Sequence, residues 1–196
     1  ECVEGFRDDD GSIDNGCEAG GSSSEEPIEE EEEEPLMCME GAPELCNAFD
    51  DDCDGSCDEG LAGQCRTGIH RSSGNGHLYT DVLAESQTAP FNLESQNYFH
   101  LYSEEGEALE PVYLCRKSNG KHLLTSDDGC EGQGTVVRTL GYWAADAQCG
   151  SQPLYRLHEA GSNNHFYTTN AQERDNAANN LGYTNQGIAG YVWATP

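Results

Sequence analysis

Three histidines are the residues best placed to do chemistry, each near the start of the same short pattern: Gly76-His77-Leu78-Tyr79-Thr80, Lys121-His122-Leu123-Leu124-Thr125 and Asn164-His165-Phe166-Tyr167-Thr168. They lie 45 and 43 residues apart, each behind a Ser/Asn/Gly-rich turn. Such imidazoles can hold a metal, contact a ligand through the ring nitrogens, or pin the adjacent turn by bonding a backbone carbonyl. A period of this size signals repeated supersecondary units sharing one core, which favours the turn-pinning role. The copies differ at one place: Tyr79 and Tyr167 are matched by Leu124 in the middle copy. Aromatic rings with Asn, Arg and His beside them suit a sugar, whose faces are apolar and whose hydroxyls need directional partners. Ligand contact is therefore expected at Asn164, His165, Tyr167 and Arg174 and at Asn75, His77 and Tyr79, with the middle site inactive. No nucleophile elbow is present, and His158-Glu159 is not followed by a second histidine at helical spacing, so common hydrolase and zincin signatures fail.

A second chemistry is written in carboxylates. Asp50, Asp52 and Asp54 alternate, Gly55 permits a sharp turn and Asp58 follows at the ninth position, an arrangement suited to Ca²⁺ with its six to eight oxygen ligands. Leu61 at the twelfth position excludes an EF-hand. Asp8, Asp10 and Asp14, within a loop that a Cys2–Cys17 bridge would close, form a weaker candidate. The competing reading of both loops is a solvated, self-repelling surface. Zinc at Cys53 and Cys57 fits poorly, because the neighbours are hard carboxylates and no histidine precedes His70.

The elements that must position these residues follow from periodicity. Pro153 to His158 alternates like a strand, Gly161 to Asn164 is a turn and His165 to Thr169 returns, which makes a hairpin. Asn170 to Leu181 reads as a helix with Asn170 as N-cap, Glu173 completing a capping box and Gly182 ending it. Tyr183 to Trp193 is extended again, and the segment from Pro111 to Trp143 follows the same order. The first copy is more eroded, with Ile69-His70, the His77 segment and a strand over Phe99 to Tyr102.

Composition divides the chain. Residues 1–60 carry 23 acids against one base, whereas residues 61–196 carry 14 acids against eight bases. The first part must be disordered or neutralised by cations. Nothing basic is clustered enough to follow a phosphate backbone, and no apolar run approaches a spanning helix, so neither nucleic acid nor membrane insertion is expected. The chain starts at Glu1 without Met, which reads as a mature or trimmed product. Ten cysteines suit complete pairing in an oxidising compartment, with disulfides replacing a core in the acidic part. Cys130–Cys149 and Cys65–Cys115 are the expected bridges of the later part. Boundaries fall at 1–18 (acidic Cys/Asp loop), 19–36 (Gly/Ser and poly-Glu linker), 37–65 (metal-binding motif) and 66–196, with repeats over about 66–110, 111–152 and 153–196.

The run from Glu44 to Gly60 resembles the MopE-type metal-binding repeat of myxobacterial-like surface proteins, departing at Ala48 and at an extra Cys57 that would seek Cys38 or Cys65. That name is linked to copper, but the stretch has neither histidine nor tryptophan, and calcium is the better match. Tyr155-Arg156-Leu157, Asn164 to Thr169, Glu173-Arg174-Asp175 and Gly187 to Val192 resemble the repeat family DUF5648 over about 66–196. The resemblance implies a three-fold pseudo-symmetric, β-trefoil-like domain, mainly β with short helices, appended to secreted hydrolases or surface proteins. The expected function is a secreted or cell-surface, non-catalytic glycan-binding module with calcium-stabilised acidic loops. The alternatives are a self-assembling surface protein and an accessory region of a secreted hydrolase.

Overall fold

The computed structural model describes residues 6–7, 18–19, 38–61 and 64–196. The chain forms two compact units, Glu1–Leu36 and Met37–Pro196. In the first, β1 (Phe6–Arg7) pairs antiparallel with β2 (Glu18–Ala19). The proposed ligands Asp8, Asp10 and Asp14 and the Cys2–Cys17 bridge lie outside the described residues.

The second unit is mainly β. Three groups of strands follow one order along the chain. The first comprises β3 (Arg66–Gly74), β4 (Gly76–Thr80), α1 (Leu83–Ser86) and β5 (Asn92–Tyr102). The second comprises β6 (Leu109–Lys117), β7 (His122–Thr125), a 3-10 turn at Cys130–Gly132 and β8 (Gly134–Ala144). The third comprises β9 (Gln152–Glu159), β10 (Asn164–Thr168), α2 (Ala171–Asn180) and β11 (Thr184–Val192). In each group the first strand is central, with the hairpin partner on one side and the last strand on the other. Each histidine pattern thus lies on the returning strand of a hairpin.

Strand pairing joins the groups only at the ends of their last strands, by Tyr102↔Tyr142, Tyr191↔Ala144 and the bridge His100↔Trp193. The result is a nine-stranded antiparallel sheet whose edges stay open at β4, β7 and β10, not the barrel of a β-trefoil. Bulges explain the divergence, because each first-to-last strand pairing shifts register, after Ile69, Val112 and Asn185 for example, and a bulge sharpens local twist. Gly141 sits where the strand ends crowd, at φ +143, and a Cβ there would come 2.5 Å from the Tyr102 carbonyl oxygen. The main core holds Ile69, Phe99, Leu101, Val112, Leu123 and Leu154, all fully buried.

Helix α2 matches its expected span, and the Asn170 Oδ1 cap accepts from the backbone N–H of Gln172 (2.8 Å) and Glu173 (3.1 Å). The capping box is not completed: Glu173 turns to Thr168 Oγ1 (2.5 Å) and Arg71 Nη1 (2.9 Å).

The disulfides are Cys38–Cys53, Cys46–Cys65, Cys57–Cys149 and Cys115–Cys130. These replace the expected Cys130–Cys149 and Cys65–Cys115 bridges and the pairing of Cys57 with Cys38 or Cys65. The reason is tertiary: the acidic segment 38–61 lies against the strand-end junction, so Cys57 reaches the loop before β9. Asp58 completes that docking. Its Oδ1 accepts from the N–H of Asn47 (3.0 Å) and Ala48 (3.3 Å), and its Oδ2 takes the Tyr102 hydroxyl and Arg66 Nη2 (3.5 Å). Arg66 also lies over the Tyr102 and Trp193 rings. Replacing Cys57 and Cys149 by serine opens a loop with a separation of 92 residues. The expected loss is roughly 4–5 kcal/mol by loop entropy, read as an earlier urea midpoint. An unchanged midpoint would show that the Cys57–Cys149 bridge does not hold the docking.

Candidate functional site

The tyrosines of the histidine patterns point inward and act as struts. Tyr79 donates to the Tyr167 carbonyl (2.5 Å) and accepts from the Tyr167 N–H (2.9 Å). Tyr167 in turn donates to the Leu124 carbonyl (2.7 Å) and accepts from the Leu124 N–H (3.0 Å). Each hydroxyl thus satisfies both backbone groups of a residue on a neighbouring open edge, and burial pushes both phenols well above their ordinary pKa. Leu124 breaks this relay because it has no hydroxyl. It packs in the core instead. The expected ligand contacts at Tyr79, Tyr167 and His165 therefore fall on side chains 2%, 1% and 1% exposed.

Between adjacent groups lie three Arg–Glu junctions that sequence reasoning missed. Arg71 Nη1 pairs with Glu173 (2.9 Å), Arg138 Nη2 with Glu85 (2.7 Å) and Arg156 Nη2 with Glu131 (2.7 Å). The threonine ending two of the returning strands bonds the same carboxylate, Thr80 to Glu85 and Thr168 to Glu173, and Thr125 helps to lower the pKa of Glu131. In two groups the arginine faces the tyrosine across the hairpin, Arg71 opposite Tyr79 and Arg156 opposite Tyr167. In the middle group Leu114 faces Leu124, and Arg138 comes from β8 opposite Leu114. The recurring Thr-to-Glu spacing of five, six and five residues was the available signal.

The three histidines each sit at one junction in different surroundings. His165 is enclosed: Lys117 Nζ lies 2.8 Å from its Nδ1 and Arg156 Nη2 lies 3.0 Å from its Nε2. Burial first, then Arg156 and Lys117, pull its pKa down to about 3. A guanidinium can only donate, so Arg156 gives its hydrogen to Nε2. Burial pulls the pKa of Lys117, on the other side of the ring, down to about 8. Lys117 also reaches Asn163 Oδ1 (2.9 Å), filling this junction with protein atoms.

The other two junctions border cavities. One of about 200 Å³ is lined by Arg71, His77, Glu94, Phe166, Glu173 and Tyr183. Asn164 stands behind it, its Nδ2 3.2 Å from His77 Nδ1 and 2.8 Å from the Tyr183 hydroxyl. The other, of about 480 Å³, lies between the first and second groups, with Asn75, Phe91, Arg116, His122, Glu85 and Arg138 in its wall. Burial first, then Arg116, lower His122 to about 4, so its ring is neutral at physiological pH. The expected contacts are thus divided: Asn75 lines the larger cavity and His77 the smaller. Asn164 supports His77, while Arg174 stacks on Tyr155 (4.3 Å) and pairs with Asp175 (2.7 Å).

In the acidic segment, carboxylate oxygens of Asp50, Asp52 and Asp54 come within 4.8 Å of one another, as do those of Glu44, Asp52 and Glu59. Asp58 belongs to neither group, being committed to Tyr102, Arg66 and the Asn47 and Ala48 amides. A backbone hydrogen bond lowers the Glu59 pKa, but desolvation and the carboxylates of Asp54, Glu44 and Asp52 outweigh it and the net shift is upward. The donors are all hard carboxylate oxygens, a set that fits a calcium ion and lacks the imidazole and thiolate ligands that zinc and copper prefer.

Four disulfides among the described residues are compatible with an oxidising compartment. No helix among them is long and apolar enough to cross a membrane. Residues 69–193 match a family model described as Domain of unknown function (DUF5648). No curated protein and no solved structure matches the chain.

Proposed function

The chain belongs to the DUF5648 family, and from that premise we propose a secreted or cell-surface, non-catalytic module that binds glycans. The larger cavity carries this reading. Phe91 and Pro90 offer an apolar face, while Asn75, Arg116, Glu85 and Arg138 stand around it as directional polar groups. Sugar recognition needs that mixture, a flat ring for the pyranose face and fixed donors and acceptors for its hydroxyls. Asn75 and His77 keep the ligand-facing role, in separate cavities. Tyr79, Tyr167 and His165 serve as scaffold.

On this reading the three strand groups are copies of one pseudo-symmetric unit, related by the shared strand order, the tyrosine relay and the Arg–Glu–Thr junctions. Calcium is the partner proposed for the MopE-type segment, held by Asp50, Asp52 and Asp54 with Glu44 and Glu59 nearby. One such ion would offset the mutual repulsion of these carboxylates.

A glycan array with and without EDTA tests the module as a whole. Binding is expected, with Phe91→Ala and Asn75→Ala lowering it by about tenfold or more, the scale of one lost packing or polar contact. Melting of the Asn75→Ala protein should match the parent, since Asn75 is exposed. EDTA is expected to lower the melting midpoint. No binding anywhere on a broad array sinks the glycan reading, and EDTA-sensitive assembly without sugar affinity would point to a structural surface protein instead.

A further inference from the structure

We infer that the larger cavity takes an acidic saccharide, whose carboxylate is held by Arg116. The inference rests on the glycan reading and narrows its ligand class.

The argument comes from where positive charge is left over. Acidic residues far outnumber basic ones in this chain, 37 against nine, so an unpaired cation is conspicuous. Arg66, Arg71, Arg138, Arg156 and Arg174 all pair with carboxylates. Lys117 is buried against Asn163 and His165. Among the described residues, Arg116 and Lys121 make no ion pair and their side chains make no hydrogen bond. Both belong to one hairpin: Arg116 pairs across the strands with His122, and Lys121 immediately precedes His122. Arg116 is exposed and lines the cavity. The Lys121 stem leans over the first hairpin's turn, with Cγ and Cδ 3.2 Å from the place a Cβ on Gly76 would occupy. That turn carries Asn75, which lines the same cavity, and Gly120 on the second hairpin lines it too.

The rest of the wall decides what kind of anion fits. The Phe91 and His122 rings lie 5.8 Å apart between centroids, tilted at 55°, and give an uncharged surface beside Arg116. Arg138 is already taken up by Asp81 and Glu85, and Glu85 remains as an acceptor for sugar hydroxyls. A bare inorganic anion would leave the aromatic surface unused, and a neutral sugar would leave the free guanidinium unused. A uronic-acid unit uses both, its carboxylate on the Arg116 guanidinium and its ring face on Phe91. The volume of about 480 Å³ lies within the usual range for small-ligand pockets. His122 adds no charge above pH 5, so the attraction is set by Arg116.

Calorimetry on the full chain at pH 7 provides the test, with tri-galacturonate, the neutral galactotriose of the same linkage and a sulfated galactan trimer as probes. Tri-galacturonate is expected to bind at least about tenfold more tightly than the neutral trimer, the scale of one charge-assisted hydrogen bond. Its affinity should weaken as salt rises. Arg116→Ala should remove about tenfold of that affinity and leave the melting midpoint unchanged, with Arg116→Lys recovering part. Equal affinity for acidic and neutral trimers, or indifference to Arg116→Ala, overturns the inference while leaving glycan binding in place. Tighter binding of the sulfated trimer overturns the carboxylate assignment. Absence of binding by all three, together with a blank array, would fail the glycan reading itself.

Discussion

Replacing Tyr79 and Tyr167 together by phenylalanine is expected to cost roughly 4–8 kcal/mol, enough to bring a marginally stable domain near unfolding. Each single change is expected to cost roughly 2–4 kcal/mol. The packing of the rings is retained in phenylalanine, so the loss comes from the hydroxyls. Each hydroxyl donates to one backbone carbonyl and accepts from one backbone N–H on a neighbouring open strand edge. Without it, two backbone groups are buried with no partner, which is the costly way to lose a hydrogen bond. Urea denaturation of the single and double variants measures this. If Tyr167→Phe kept full stability but lost glycan affinity, Tyr167 would be a ligand contact and the strut assignment would fail.

Acid should unfold this protein through its histidines before its carboxylates. In the unfolded chain His165 and His122 take up a proton near pH 6.5, but in the fold they resist until about pH 3 and about pH 4. Between those limits the unfolded state binds more protons, so stability is complete above pH 6.5 and falls as pH drops. The slope is roughly 1.4 kcal/mol per pH unit for each ring. At pH 5 the two rings together account for roughly 4 kcal/mol, an upper figure because His122 keeps part of its surface in water. The cause at His165 is geometric. A proton added to that buried ring would sit between Arg156, Lys117 and His158, with Glu131 as the one nearby carboxylate. Glu85, Glu131 and Glu173 are held below the ordinary carboxylate range by their arginine partners, with burial opposing. Their contribution has the same sign and is lost only as pH falls below 4.5. Thermal melts from pH 8 to pH 4 should show a steep decline beginning near pH 6.5, with His165→Gln flattening it. A midpoint constant from pH 7 to pH 5 would contradict the assignment.

Local features were legible where a short stretch of chain decides them. The hairpins follow from alternation around Ser/Asn/Gly turns, and α2 from Asn170 and the absence of breakers before Gly182. The convergence of Asp50, Asp52 and Asp54 follows from their alternate spacing around Gly55. Even so, local rules misled twice. Glu173 has capping-box spacing, yet a half-buried arginine 102 residues away in sequence claims its carboxylate. Asp58 has metal-ligand spacing, yet Tyr102 and Arg66 claim it at the docking surface.

The sequence by itself determined the hairpins, helix α2, the mainly β class and the family, because composition and period act through neighbours within a few residues. The tertiary structure alone decided three further things. It set that Cys57 pairs with Cys149, because that bridge follows the docking of segment 38–61 and not proximity along the chain. It set which way the Tyr79, Tyr167 and His165 side chains face, because an open strand edge has unsatisfied backbone groups that only an inward hydroxyl can reach. It also separated the basic residues that hold the groups together from Arg116 and Lys121, which are left over. Charge pairing over 25 to 102 residues of chain is a matter of which surfaces meet, and no local spacing encodes it.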